Sequence, residues 1–487
     1  MAKDPKAPSP SLTRRAVVAG AAAAAVVGGT SAVLGRAPTA RTGQRPPNVL
    51  FICVDDLNDW IAPLRGHPDA ITPAFDRLAR MGVTFQRAYV PAPVCNACRG
   101  AVLTGISPST SGLYDNITPL RDRLPNAVTL PQVFREAGYK SVGGGKIFHG
   151  AFAYPPFPEH AKSAPWVWLG QVSEAWDEYL VFPPEPIPEN RPAAGLNLGV
   201  GPQFDWGVET AAEDDLPDVQ LARFTAEQLR RAHDKPLFLA AGIYRPHLPW
   251  YVPQRFLDLY PADRVRMPPM REGNELAGVP AGGLPNTSPE LHNIIVKGGK
   301  WRDAVRTYLA SISFADHCLG LMLDALWEGP NRDNTLVVLW SDNGWHLGEK
   351  LHWRKFTLWE QATRVPFMIA GPGVAAWRNS PRTVNLLDIF PTLAELCGLK
   401  TPAGLEGRSI ALLLRDPDAV WDHPSVSTWL EGNHAVRSER WRYIRYRDGG
   451  EELYDHTVDP NEWDNLAGKP ELAAVKADLA RHLPAKG

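Results

Sequence analysis

The sequence is poor in cysteine and has no long block of one charge sign. Its 487 residues include five cysteines at irregular spacing, which argues against a disulfide framework and against a zinc ribbon. Charged residues make up 21% of the chain and the formal net charge is -2. Without a lysine- or arginine-rich block, the chain does not have the composition of a nucleic-acid-binding protein. Any anion-binding site must therefore be built from a local cluster of side chains.

A long run of small and apolar residues lies at the N-terminus. Arg14 and Arg15 precede an alanine- and glycine-rich stretch that ends near Leu34, which is typical of a twin-arginine export signal. The stretch is long enough to anchor the chain in a membrane, but its alanine and glycine content favours a cleaved signal. We expect residues 1–45 to be signal and linker. The mature protein would then be periplasmic or extracellular, without stable membrane association.

Two buried strands are each followed by a pair of oxygen-bearing side chains. The apolar run Asn48–Val54 ends at Asp55-Asp56, and the run Thr335–Trp340 is followed by Ser341 and then by Asp342-Asn343. Carboxyl ends of parallel strands meet at one edge of an α/β sheet, where sites are built. Carboxylate and amide oxygens suit calcium or magnesium. The alternative for the first pair is a solvated turn that caps a helix.

A cysteine and an arginine stand four residues apart in the stretch from Pro93 to Gly105. If a helix begins here, Arg99 shares a face with Cys95, and the helix N-terminus adds partial positive charge. Cys95 is therefore a candidate reactive group. The alternative is a buried free cysteine beside a surface arginine. A preceding strand–helix–strand order places Cys95 on the same sheet edge as Asp55 and Asp56.

The stretch that begins at Cys95 resembles the signature of type I sulfatases, which belong to the alkaline phosphatase superfamily. In that family the cysteine is oxidised to formylglycine by a formylglycine-generating enzyme, and the hydrated aldehyde attacks the sulfur of a sulfate ester. The resemblance puts that role on Cys95 and the supporting charge on Arg99. Ala97 stands where the family usually has proline, and Cys98 stands where serine is common.

Three further segments resemble sulfatase motifs. Gly-Lys-Ile-Phe-His at residues 145–149 is similar to a second signature, closest to iduronate-2-sulfatase-like members, and implies that Lys146 and His149 contact the nucleophile and the sulfate. Taken alone, these two residues would be a solvated lysine and a packed loop histidine. His247, between two prolines beyond a strand, suits proton transfer, although it could be a simple turn residue. The resemblance makes His247 the donor to the leaving oxygen and Lys355 a sulfate-binding lysine.

The resemblance covers residues 46–470 in collinear order and implies an alkaline phosphatase-like α/β fold. We expect a large, mostly parallel mixed sheet flanked by helices in a catalytic domain at residues 46–395. Two alternating runs around Asp448-Gly449-Gly450 predict a hairpin, so a smaller C-terminal subdomain at 396–487 should hold an antiparallel sheet plus a helix. The proline- and aromatic-rich residues 151–207 are expected to be an insertion that walls the substrate pocket.

The implied activity is hydrolysis of sulfate monoesters, of a carbohydrate in particular, with formylglycine and one divalent cation, Ca²⁺ or alternatively Mg²⁺. The expected metal ligands are Asp55, Asp56, Cys95, Asp342 and Asn343. The expected catalytic residues are Cys95, Arg99, Lys146, His149, His247 and Lys355. One alternative is a phosphonate or phosphate ester hydrolase of the same superfamily. Another is a catalytically silent protein that binds sulfate esters, because Ala97 departs from the motif for formylglycine conversion.

Overall fold

The structure is a computed structural model that describes residues 45–149, 173–180 and 204–485. The predicted export signal lies outside the described residues, and so does most of the predicted insertion at 151–207. The export signal and the domain boundary between residues 395 and 396 stay predictions.

The described residues form sixteen β-strands. In chain order they are β1 (Asn48–Val54), β2 (Gly82–Tyr89), β3 (Lys140–Gly145), β4 (Glu178–Leu180), β5 (Trp206–Glu209), β6 (Leu237–Ile243), β7 (Trp250–Pro253), β8 (Thr335–Ser341), β9 (His346–Leu347), β10 (Trp353–Arg354), β11 (Phe367–Ala370), β12 (Arg378–Asn385), β13 (Ser425–Thr428), β14 (His434–Arg437), β15 (Trp441–Arg445) and β16 (Glu451–Asp455).

The same residues form thirteen α-helices. In chain order they are α1 (Pro73–Met81), α2 (Cys95–Thr104), α3 (Pro108–Ser111), α4 (Leu120–Arg123), α5 (Leu130–Glu136), α6 (Pro217–Arg230), α7 (Gln254–Leu257), α8 (Pro289–Lys297), α9 (Trp301–Glu328), α10 (Glu360–Thr363), α11 (Ile389–Cys397), α12 (Ala411–Arg415) and α13 (Ala473–Ala480).

The centre of the fold is an eight-stranded sheet in the order β12-β2-β11-β8-β1-β6-β3-β4. Strand β1 pairs in parallel with both of its neighbours, so that Ile52 lies opposite Ala241 of β6 and Leu339 of β8. Strand β11 is antiparallel to β2 and to β8, while the other pairs in this sheet are parallel. The predicted mostly parallel mixed sheet is confirmed.

The central strand β1 is buried on both faces, which explains its uninterrupted apolar sequence. Because side chains alternate across a strand, Leu50 and Ile52 enter one core layer, whereas Phe51 enters the other. Helix α9 packs in the first layer, and helices α2 and α11 pack in the second. Helix α9 is long and apolar enough to cross a membrane, but 78% of its most apolar 18-residue segment is buried inside this protein.

The C-terminal part contains a second sheet of four antiparallel strands, β13-β14-β15-β16. Its hairpin joins β15 to β16, with Tyr443 opposite Leu453, and helix α13 follows. This confirms the antiparallel sheet plus helix expected from the alternating sequence. The sheet is tied to the rest of the protein through buried Arg442, which pairs with Glu360 and Glu462.

Candidate active site

The carboxyl ends of four neighbouring parallel strands place charged side chains at one edge of the large sheet. Asp55 and Asp56 follow β1, Lys146 follows β3, Asp342 follows β8, and His247 lies four residues beyond β6. In an open α/β sheet this edge is where a crevice for ligands forms. The sequence prediction that Asp55-Asp56 and Asp342-Asn343 share one edge is confirmed.

Cys95 is the first residue of α2, which begins shortly after β2 reaches the same edge. The predicted helix is confirmed, and it carries Arg99 one turn further along. All ten residues of α2 are buried. Arg99 is 0% exposed, so the alternative of a surface arginine beside the cysteine is wrong.

The sulfur of Cys95 lies at the centre of a polar cluster. Its neighbours are Lys355 Nζ at 2.6 Å, Asn343 Oδ1 at 3.5 Å, Asp55 Oδ1 at 3.6 Å, Asp56 Oδ1 at 3.8 Å and Lys146 Nζ at 3.8 Å. Burial raises the pKa of the Cys95 thiol well above its usual value, and Asp342 raises it further, although both lysines oppose the shift. Because the thiolate is the reactive form of cysteine, the unmodified side chain is a weak nucleophile at neutral pH.

The acidic half of the cluster is completely buried. Asp55, Asp56 and Asp342 are each 0% exposed, and one ligand atom from each lies within 4.8 Å of the others and of the Cys95 sulfur. Asn343 donates from Nδ2 to Asp56 Oδ1 over 2.8 Å, which turns its own carbonyl oxygen toward Cys95. Among the described residues, Asp56 Oδ2 has no hydrogen-bond partner. Three carboxylates and one amide oxygen fit a hard divalent cation such as Ca²⁺.

The basic half of the cluster compensates these buried carboxylates. Arg99 donates from Nε to Asp342 over 2.7 Å and from Nη2 to Asp55 over 3.0 Å. Lys146 pairs with Asp55, and Lys355 pairs with Asp56. Burial alone would raise the pKa of Asp55, but Lys146 and other cations hold it well below the usual value. For Asp56 too, burial would raise the pKa, but Lys355 and other cations lower it below the usual value. Both aspartates therefore stay ionised at neutral pH.

Two histidines border the cluster, as the sequence predicted. His247 Nε2 lies 3.6 Å from Asp56 Oδ2, and its Nδ1 donates to the Leu248 carbonyl over 2.6 Å. Burial lowers the pKa of His247 to about 4, although Asp56 opposes this shift. Burial and the nearby Lys146 lower the pKa of His149 well below its usual value, and its buried Nδ1 has no partner among the described residues. Each ring is thus neutral at physiological pH.

Two family models match the chain. One described as Sulfatase covers residues 47–399, and one described as N-sulphoglucosamine sulphohydrolase, C-terminal, covers residues 348–486. The chain belongs to the sulfatase family. It is therefore a sulfuric ester hydrolase, and the recognition of type I sulfatase motifs in the sequence is confirmed.

Named relatives of this sulfatase agree with that assignment. A sulfatase from Formosa agariphila is 38% identical over 456 residues, which cover 89% of this chain and 86% of the relative. Iduronate 2-sulfatase from Homo sapiens is 29% identical over 428 residues, which cover 77% of this chain and 74% of the relative. The solved phosphonate monoester hydrolase SpPMH from Silicibacter pomeroyi superposes with a TM-score of 0.74 at 21% identity, covering 89% and 94% of the two chains. That likeness shows the shared alkaline phosphatase-like fold.

The sulfatase also has site residues that the sequence analysis did not include. Tyr308 of α9 donates its hydroxyl to the Asp56 carbonyl over 2.8 Å and accepts from the Asn58 amide over 3.1 Å, which fixes the turn after β1. Arg354 is adjacent to Lys355 in sequence and close enough to Asp56 for this carboxylate to raise its pKa, although burial lowers that pKa more. No motif marked Tyr308, because its role depends on how α9 crosses the sheet. Adjacency to Lys355 is the one sequence signal that could have pointed to Arg354.

Proposed function

We propose that this sulfatase hydrolyses a carbohydrate sulfate monoester with a formylglycine derived from Cys95 and with one divalent cation. The observation that carries the proposal is the burial of the Cys95 side chain between three carboxylates and three cations at the sheet edge. The similarity to iduronate 2-sulfatase supports a sugar sulfate as the substrate class.

The properties of Cys95 favour a modified side chain over a free thiol. With its pKa raised by burial, the thiol holds a proton and attacks poorly. Once a formylglycine-generating enzyme has oxidised residue 95, the hydrated aldehyde supplies a hydroxyl group as the nucleophile for sulfur. The position of residue 95 at the first turn of α2 keeps that nucleophile fixed against the cations.

The acidic residues fit the divalent cation that the family implies. Asp55, Asp56, Asp342 and Asn343, together with residue 95, would hold Ca²⁺, with Mg²⁺ as the alternative. The ion would supply positive charge toward the sulfate oxygens and lower the pKa of a bound hydroxyl group.

The chain's own cations and histidines account for the remaining chemistry. Arg99, Lys146 and Lys355 present fixed positive charge where the sulfate group carries negative charge, in a site shielded from water. In the neutral ring of His247 the hydrogen is on Nδ1, which donates to the Leu248 carbonyl, so Nε2 must first take up a proton from solvent. The protonated ring, stabilised by Asp56 at 3.6 Å, would then deliver that proton to the departing alcohol oxygen. His149 has an unpartnered Nδ1 among the described residues and would accept a proton at that atom.

Two measurements on the wild-type protein test the proposal. Mass spectrometry of the peptide spanning residues 89–99 should show an aldehyde in place of the Cys95 thiol, and the same preparation should release sulfate from 4-nitrophenyl sulfate. An unmodified thiol or a Cys95–Cys98 disulfide, combined with no sulfate release, would instead support a protein that only binds sulfate esters.

A second candidate function is hydrolysis of phosphonate monoesters, favoured by the superposition on the Silicibacter pomeroyi enzyme. The two reactions need similar charge around the central atom. The ratio of kcat/KM for 4-nitrophenyl sulfate to that for 4-nitrophenyl phenylphosphonate separates them. A ratio above one supports the sulfatase reaction as the main activity, and a ratio far below one supports the alternative.

We also propose export of this enzyme through the twin-arginine route. Arg14 and Arg15 before the alanine- and glycine-rich run support it. Replacing both arginines with lysine should leave the protein in the cytoplasmic fraction of an expressing bacterium. If the variant is exported as well as the wild type, this route is wrong.

A further inference from the structure

Arg354 is a partly buried cation beside the reaction centre that the hydrolysis described above does not use. Its Nε atom is buried without a hydrogen-bond partner, and its guanidinium forms no ion pair with any residue that the structure describes. By contrast, Arg99 binds two carboxylates. A buried guanidinium is normally paired, because removing it from water is unfavourable. Arg354 is therefore a partly buried cation to which the described residues supply no ion-pair partner.

The guanidinium of Arg354 is held on a rigid aromatic surface. Its central carbon lies 5.0 Å from the centre of the Phe204 ring. Phe204 is fully buried, packs edge-on against Trp353 at 5.9 Å and lies 6.4 Å from Trp250. Stacking on an aromatic face leaves the edge of the guanidinium, with its N–H groups, available to a ligand. The cation is thus oriented before any ligand binds.

The backbone around Lys355 departs from regular strand geometry. Arg354 has a φ of 83° and Phe356 has a φ of 77°, which are unfavourable values for residues other than glycine. In a regular strand, neighbouring side chains point to opposite faces. Here Lys355 reaches Asp56 and Cys95, and Arg354 is still close enough for Asp56 to raise its pKa, although burial lowers that pKa more.

We propose that Arg354 determines specificity by binding a second anionic group of the substrate, a carboxylate or another sulfate, close to the sulfate ester that is cleaved. The inference rests on the proposed function of the same site. A planar guanidinium can donate two parallel N–H bonds to such a group, and these charge-assisted bonds are strong. A substrate with no second anion would leave Arg354 unpaired. The enzyme should therefore prefer multiply charged sulfated sugars.

Isothermal titration calorimetry with the Cys95→Ala variant tests the inference, because this variant should bind sulfate esters without cleaving them. One pair of ligands is a 2-O-sulfated hexuronate disaccharide and its uronate methyl ester. The other pair is glucosamine 2-N,6-O-disulfate and glucosamine 6-O-sulfate. We expect the more charged member of at least one pair to bind about tenfold to a hundredfold more tightly, as one charge-assisted bond pair allows. The first pair reports on a carboxylate, and the second reports on an extra sulfate.

Substitutions of Arg354 decide whether this residue causes the preference. Adding Arg354→Gln should reduce the preference to less than about threefold, because it removes the positive charge and the two parallel N–H donors that bind the second anion. Arg354→Lys, which keeps the charge without the planar fork, should give an intermediate value. Arg332→Gln is the matched control, because Arg332 also stacks on an aromatic ring, 3.5 Å from the centre of Trp327, but lies at the amino end of β8. The control should keep the full preference.

Several results would overturn the inference. One is equal binding of the more charged and the less charged member in both pairs, and another is no binding of any of the four ligands. A third is a preference that survives in a folded Arg354→Gln protein. If that variant does not fold, the Arg354→Lys variant and the methyl ester comparison still decide. Failure of the proposed function shows itself separately, as absence of sulfate release from 4-nitrophenyl sulfate by the wild-type enzyme.

Discussion

Lys355 places its ammonium group 2.6 Å from the sulfur of Cys95, although the two residues are 260 positions apart in the chain. The same ammonium pairs with Asp56. Lys355 therefore connects the nucleophile position with the metal-binding carboxylates. This contact is the closest that the Cys95 sulfur makes to a charged side chain among the described residues.

Replacing Lys355 should strongly reduce catalysis. We expect Lys355→Met to lower kcat for 4-nitrophenyl sulfate by about a hundredfold to a thousandfold, the usual effect of removing one preorganised charge from an active site. Steady-state kinetics with a parallel melting curve measure this. Lys297→Met, on the exposed surface of α8, is the control and should behave like the wild type. A decrease below tenfold in the folded Lys355 variant would contradict the role.

The two cysteines of α2 should respond differently to substitution. Cys95→Ala should abolish sulfate release, because it removes the side chain that becomes the nucleophile. Cys98→Ala should retain most turnover, because Cys98 packs in the core layer that holds α2 and α11. We expect the substitution to destabilise the protein by about 1 kcal/mol. Sulfate release by each variant, normalised to the fraction of aldehyde at residue 95, provides the measurement. Full turnover in Cys95→Ala would show that another nucleophile acts.

Calcium should stabilise the folded protein independently of turnover. A ligand that binds only the native state at a hundred times its Kd adds about 2.7 kcal/mol to the free energy of unfolding. We therefore expect the melting temperature to fall after treatment with EDTA and to recover when Ca²⁺ is added. In Asp56→Asn the recovery should be much smaller, because one carboxylate ligand is lost. An equal recovery in both proteins would place the ion elsewhere.

Arg442 should be important for stability and not for chemistry. It is 0% exposed and pairs with Glu360 and Glu462, so that Arg442→Met removes a buried cation that two carboxylates share. Breaking such a buried pair destabilises by about 3–5 kcal/mol. Urea unfolding measures this loss. The matched control is Arg447→Met, which should change stability little because the Arg447 side chain is 73% exposed. Similar midpoints for the two variants would contradict this expectation.

Much of the site was predictable because polar pairs interrupt apolar strands at their carboxyl ends. Asp55-Asp56 and Asp342-Asn343 were recognisable in this way, and family motifs added Lys146, His247 and Lys355. Arg99 shows the limit of local reasoning, because a charged residue on a helix is usually exposed. It is buried here only because Asp342 and Asp55, distant in sequence, compensate its charge.

Local sequence patterns were enough to predict the buried strands, the turns after them and the position of Cys95 at the start of a helix, because burial and turn formation depend on neighbouring residues. The tertiary structure was needed to show that β11 is antiparallel to both of its neighbours and that β8 lies next to β1. It also decided that Arg354 stays unpaired among the described residues. These features depend on which distant segments pack together, and hydrophobic periodicity carries no information about that choice.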